Sequence, residues 1–94
     1  MNKKEYKYKE QGQALRNLRI QNTKYNISQV CKIFGKTRSW LSQIETGLCN
    51  VYFDDVERLC KFYGCTLNDF INEYNKLKTK KENWQGSLFL YCND

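Results

Sequence analysis

Arg38 and Gln43 stand in the run Arg38-Ser39-Trp40-Leu41-Ser42-Gln43-Ile44-Glu45-Thr46. An arginine can make a two-pronged hydrogen bond to the edge of a guanine, and a glutamine can do the same for adenine. Ser39 and Ser42 beside them are adaptable donors and acceptors, and Trp40 offers a flat surface to a sugar or a thymine methyl group. Lys36, Thr37 and Thr46 can hold phosphate oxygens, contacts that set register on a duplex without reading its sequence. This is recognition chemistry rather than bond-breaking chemistry.

Little else in the chain suggests catalysis. There is no histidine, so a serine or cysteine nucleophile has no imidazole to activate it. Neither a P-loop nor a Gly-x-Ser-x-Gly pattern occurs. No catalytic residue is assigned, and the chain is not expected to be an enzyme. The five cysteines, at 31, 49, 60, 65 and 92, contain no Cys-x-x-Cys pair. Zinc sites usually draw on closely spaced pairs, so no metal and no cofactor is expected. Cys31 and Cys60 instead fall within amphipathic patterns as small buried apolar groups. Free thiols in this number favour a reducing compartment, and the expected location is the cytoplasm.

The net charge is +6 over 94 residues, with 40% hydrophobic and 28% charged residues. That composition suits one small soluble domain. No apolar run is long enough to span a bilayer, and the basic start Met1-Asn2-Lys3-Lys4-Glu5-Tyr6 leads into no apolar stretch of the kind a secretory signal needs. The charge is unevenly spread. Residues 1–47 hold ten Lys/Arg against three Asp/Glu, a balance of +7, while residues 48–94 hold six against seven. The excess suits a polyanion met by one end of the molecule; a solvated lysine-rich surface is the alternative.

These residues need helices to position them. Ala14, Leu15 and Leu18 make an apolar face over residues 10–22, with Arg16 and Arg19 interleaved. Asn26, with Gln29 three residues on, is a capping-box start for a second helix ending at Gly35, and Tyr25 and Val30 are spaced for a hydrophobic staple. Val30, Cys31 and Phe34 form its inward face. Thr37 then caps a helix over 38–46 with Leu41 and Ile44 inward and Gly47 as its stop. Phe53, Val56, Leu59, Cys60 and Tyr63 recur at helical spacing over 53–63, with Asp54 and Asp55 in the first turn. Gly64 ends that segment. Thr66 caps a last helix carrying Leu67, Phe70, Ile71, Tyr74 and Leu77, extending to about residue 83. After Gly86, residues 87–92 read as a short strand, which would pair with another subunit, pack on the helices or stay frayed.

Two short helices joined by a four-residue turn with glycine in it make a helix-turn-helix candidate whose second helix, 38–46, would enter the DNA major groove. From Gly12 to Ile71 the chain resembles the Cro and phage-repressor family of helix-turn-helix domains. The matching stretches are Gly12-Gln13-Ala14-Leu15-Arg16-Asn17-Leu18-Arg19, Val30-Cys31-Lys32-Ile33-Phe34-Gly35-Lys36-Thr37-Arg38, Leu41-Ser42-Gln43-Ile44-Glu45-Thr46-Gly47, and Leu59-Cys60-Lys61-Phe62-Tyr63-Gly64-Cys65-Thr66-Leu67. The resemblance implies an all-α, five-helix fold and binding to pseudo-palindromic operators as a dimer. It implies that Arg38, Ser39, Trp40, Ser42 and Gln43 face the groove, and that Arg19 and Glu45 form an internal salt bridge between the first helix and the reading helix. The chain departs from the family in several places. Ile27 stands where a phosphate-donating glutamine is common, so Asn26 and Ser28 are expected to take that contact. Asn50-Val51-Tyr52 replaces Asn-Pro-Ser before the fourth helix, with Asn50 assigned to phosphate. Ile27 and Ile33 fall at positions where polar residues are common, and mark a contact surface.

The expected organisation is a basic arm at 1–11, a DNA-binding domain at 12–74 and a C-terminal extension at 75–94. Several residues carry two readings. Trp40 meets DNA or folds onto the core. Lys3, Lys4, Lys7 and Lys9 track phosphates or form a solvated end, and the basic stretch 76–81 is a solvated helix face or a DNA contact. Tyr74, Leu77, Trp84, Leu88, Phe89 and Leu90 are core padding or dimer contacts. The resulting expectation is a sequence-specific transcriptional regulator, a repressor binding double-stranded DNA as a homodimer. The alternatives are an antitoxin or similar module that neutralises a protein partner, and a restriction–modification controller.

Overall fold

The computed structural model describes residues 6–86, with side chains as far as Lys78. Five helices follow one another: α1 Lys9–Asn22, α2 Ile27–Phe34, α3 Arg38–Thr46, α4 Phe53–Tyr63 and α5 Leu67–Gly86. Among the described residues there is no strand, and the fold is all-α. The segment expected as a strand, with Leu88, Phe89 and Leu90, lies outside the described residues. So does the side chain of Trp84.

Local chemistry sets most of the boundaries. At the start of α2 the Asn26 side chain accepts from the Gln29 amide at 2.8 Å, and Gln29 Oε1 accepts from the Asn26 amide at 2.9 Å. Thr66 and Asp69 make the same reciprocal pair ahead of α5, at 3.1 and 2.9 Å. Tyr52 occupies the cap position of α4 with no side-chain hydrogen bond, so that start rests on Asp54 and Asp55 facing the positive end of the helix. The connection between α2 and α3 is three residues, Gly35, Lys36 and Thr37, one fewer than the four expected of the turn. α5 runs through residue 75 without a break, and Lys9 and Gln11 belong to α1, so neither expected domain boundary coincides with a helix end.

The core is drawn from four helices and one linker: Leu15, Leu18, Val30, Cys31, Leu41, Ile44, Val51, Val56, Leu59, Cys60 and Tyr63. Leu15, Leu41 and Leu59 are wholly buried, each contributing about 1.5–3 kcal/mol of apolar burial. Phe53 shares the helical spacing of Val56, Leu59, Cys60 and Tyr63 but is 62% exposed. Val51, in the extended segment ahead of α4, fills the interior at that end of the helix instead. α5 packs chiefly on α1, where Asn17 donates to Glu73 at 3.0 Å.

Two glycines let α1 and α3 touch. A Cβ on Gly12 would lie on the carbonyl oxygen of Ile44 and 2.7 Å from that of Glu45. Gly47, at φ 93°, caps α3 in a left-handed turn that side chains rarely adopt, and a Cβ there would come within 2.5 Å of the Lys9 backbone. The Tyr8 amide closes the junction, donating to the Gly47 carbonyl at 3.0 Å.

Candidate nucleic-acid interface

α3 is amphipathic over only nine residues, so each position has a definite place. Leu41 and Ile44 are buried and hold the helix down, while Arg38, Ser39, Gln43 and Thr46 are exposed and Ser42 is half-buried. Arg38, Ser39 and Ser42 line a shallow depression with Ile27 and Ser28 from the start of α2. An adjoining depression is lined by Ser42, Glu45 and Thr46 of α3, Ile27, and Tyr6, Lys9, Gln13 and Arg16 from the α1 side. Gln43 lies on the other flank, its Oε1 3.5 Å from the exposed Cys49 thiol.

The turn that aims α3 is tied at several points. The Lys36 amide donates to the Cys31 carbonyl at 2.8 Å, and the Cys31 thiol donates to the Arg38 carbonyl at 3.6 Å. Thr37 occupies the cap of α3, but its hydroxyl does not bond the helix backbone and lies 3.5 Å from that of Ser39. Trp40 is half-buried and stacks on Phe34 with ring centroids 5.9 Å apart. Phe34 meets Phe62 edge-on, and Phe62 meets Tyr25. Lys36 Nζ sits 5.4 Å above the Trp40 ring, a cation–π contact on the outer side of the stack. Trp40 and Ile44 are i, i+4 neighbours, so the indole shares the stripe that holds α3 to the core rather than the stripe carrying Arg38. That spacing was the available signal in the sequence.

Glu45 places a carboxylate beside this surface, and Arg19 neutralises it. Arg19 Nε donates to Glu45 Oε2 at 2.8 Å and Nη2 donates to Oε1 at 2.9 Å, while Nη1 donates to the Tyr25 carbonyl at 2.8 Å. The hydrogen bonds that Arg19 donates to Glu45 raise the guanidinium pKa further, against the opposing effect of burial. No acidic charge is therefore left facing outward from α3.

The residues expected at phosphates differ in what they still offer. Asn26 and Asn50 each have their side-chain oxygen engaged, by the Gln29 amide and by Gln11 Nε2 at 2.8 Å, leaving an amide NH2 to donate. Ser28 and Lys36 are exposed. The single hydroxyl hydrogen of Thr46 is directed at the Ser42 and Gln43 carbonyls, at 3.0 and 3.2 Å, so in this rotamer Thr46 cannot donate to a phosphate.

Two short helices, a glycine turn and an exposed polar face on the second make a paired unit held by a third helix. A sequence profile described as a helix-turn-helix domain matches residues 10–70, more than half of the chain. The chain belongs to the helix-turn-helix domain family. No curated protein and no solved structure matches it. The match runs from the first turn of α1 into α5, so the helix-turn-helix domain includes α1, which packs against α3, as well as the reading pair itself. DNA binding and transcription regulation follow at the level of the family, whose members are typically not enzymes. No described helix is long and apolar enough to cross a membrane.

Sequence reasoning assigned no role to Arg16, Gln13 or Tyr6, all of which line the second depression. Lys9, Gln13 and Arg16 recur at i, i+4 and i+7, a helical stripe on the face away from Leu15 and Leu18. The spacing is legible, but the side of the molecule it reaches depends on how α1 crosses α3.

Proposed function

We propose that this helix-turn-helix protein is a sequence-specific transcriptional regulator of the Cro and phage-repressor type, acting as a repressor. α3 enters the major groove, where Arg38 contacts guanine, Gln43 contacts adenine, and Ser39 and Ser42 adapt to neighbouring bases. Trp40 contributes at the groove margin while anchored on Phe34. Ser28, Lys36, Thr37 and the free amide groups of Asn26 and Asn50 contact phosphates, and Thr46 joins them only after rotation. The observation that carries this reading is the outward face of α3: Arg38 and Gln43 are exposed there, and the helix's own carboxylate, Glu45, is held by Arg19.

A homodimer would set two α3 helices about 34 Å apart on a pseudo-palindromic site. Tyr74 and Leu77, half-buried on α5, together with Trp84, Leu88, Phe89 and Leu90, form the proposed dimer contacts at the C-terminal end of the chain. The protein acts in the cytoplasm, on the nucleoid.

Selection of bound sites from random DNA tests the proposal. A symmetric enriched motif is the expected result. On that motif Arg38→Ala should cost about 1–3 kcal/mol and relax discrimination at one base position. Equal loss on matched and mismatched duplexes would remove Arg38 from base reading, and no enrichment at all would refute the assignment.

A further inference from the structure

We propose that Lys9 and Arg16 of α1 form a second wall that grips the sugar–phosphate backbone beside the groove read by α3. The inference rests on the DNA reading above and adds a surface that the reading helix does not supply. Both side chains are exposed, and both line the depression shared with Ser42 and Thr46 of α3. Glu45 is the one acidic residue among the described residues lining it, and both of its oxygens are bonded by Arg19. Among the described residues neither Lys9 nor Arg16 has an ion-pair partner, so the surface presents two positive charges to whatever lies along the flank of α3, and its complement is a strand of phosphates.

The wall is also rigid relative to α3. Gly12, between Lys9 and Arg16, brings the α1 backbone against the carbonyls of Ile44 and Glu45. Gly47 lies against the backbone of Tyr8 and Lys9, and the Tyr8 amide bonds its carbonyl. Lys9 and Arg16 thus keep one register to Arg38 and Gln43, and no loop has to be ordered when DNA arrives. Preorganisation of this kind turns two surface charges into a fixed pair of backbone contacts.

The test is the salt dependence of binding, measured on a duplex carrying the site selected from random DNA. Each phosphate contact contributes about 0.9 to the slope of log affinity against log salt. Lys9→Gln and Arg16→Gln should each lower the slope by about that amount, so that affinity falls about 3.5-fold less than wild type between about 50 and 200 mM salt. Both should weaken matched and mismatched duplexes alike. Arg58→Gln makes the same charge change on the α4 surface lined by Glu57, Lys61 and Leu67, and should leave the slope unaltered. Circular dichroism establishes that each variant is folded. If Arg38→Ala relaxes discrimination while Lys9→Gln and Arg16→Gln behave like Arg58→Gln, the wall is overturned and the groove reading stands. If the wild-type protein prefers no duplex, both are overturned together.

Discussion

Arg19 and Glu45 meet as a buried fork, with side chains 9% and 2% exposed, joining α1 to the last turn of α3. Removing one partner strands the other charge in the interior, which typically costs about 3–5 kcal/mol. Glu45→Ala should therefore bring a domain of ordinary stability close to unfolding at room temperature. The double replacement Arg19→Met with Glu45→Leu should recover most of that loss, since a buried pair and well-packed apolar groups are often near equal. Urea denaturation of wild type and both variants is the check. A double variant no better than Glu45→Ala would show that the stranded charge is not the main cost.

The close approach at Gly12 predicts an unusual response to a conservative change. Alanine favours helix over glycine by about 1 kcal/mol, so Gly12→Ala would be stabilising on an open helix face. Here the new methyl group meets the carbonyls of Ile44 and Glu45, which are backbone and cannot rotate aside. Net destabilisation of about 1–3 kcal/mol is expected, with weaker DNA binding as α1 and α3 separate. An unchanged or higher denaturation midpoint would contradict the contact.

Tyr63 points the other way. Its ring is 2% exposed, and its hydroxyl has no hydrogen-bond partner among the described residues although Arg19 and Glu45 are near enough to act on it electrostatically. A buried donor left unmade is costly, whereas a methine in its place is not. Tyr63→Phe should raise stability by about 1 kcal/mol, seen as a Tm about 4–8 °C higher for a domain of this size. A fall in Tm would mean that the hydroxyl is bonded.

Burial also sets an alkaline limit. It pushes the Cys60 thiol up from 9.0 to about 12, with Cys65 adding to the effect, and it raises the Tyr63 phenol above its usual 10.0. The unfolded chain therefore releases these protons first, at its ordinary values. Their contribution to stability is fully present below about pH 9 and is lost as pH rises through the folded-state values, at up to about 1.4 kcal/mol per pH unit per group. Denaturation midpoints should be level from pH 7 to 8.5 and fall steeply above 9. Cys60→Ala should lower the whole curve through the cavity it leaves, yet make its alkaline limb shallower. An equally steep limb would exclude Cys60 as a source.

Secondary structure was legible where its determinants lie within a few residues of one another. The spans of α3 and α4, Arg38–Thr46 and Phe53–Tyr63, coincide with the expected segments. The Asn26–Gln29 box and the glycine stops at Gly35, Gly47 and Gly64 were likewise readable. Caps and i, i+4 stripes act over one or two helical turns, so a linear reading captures them. The exposed placement of Arg38 and Gln43 follows from the same periodicity, since Leu41 and Ile44 leave them no other side.

What the chain could not disclose on its own depends on where one helix crosses another. Val51 is buried and Phe53 exposed because the extended segment, not the helix start, reaches the interior at that end of α4. Trp40 stacks on Phe34 because α2 and α3 meet across a turn of only three residues. Lys9 and Arg16 stand beside α3 because Gly12 and Gly47 allow two backbones to touch. The amino-acid sequence by itself determined five amphipathic helices and the outward chemistry of the third. Only tertiary packing decided which further charges share that surface, because distant residues become neighbours through the summed fit of many side chains, with no local rule linking their positions.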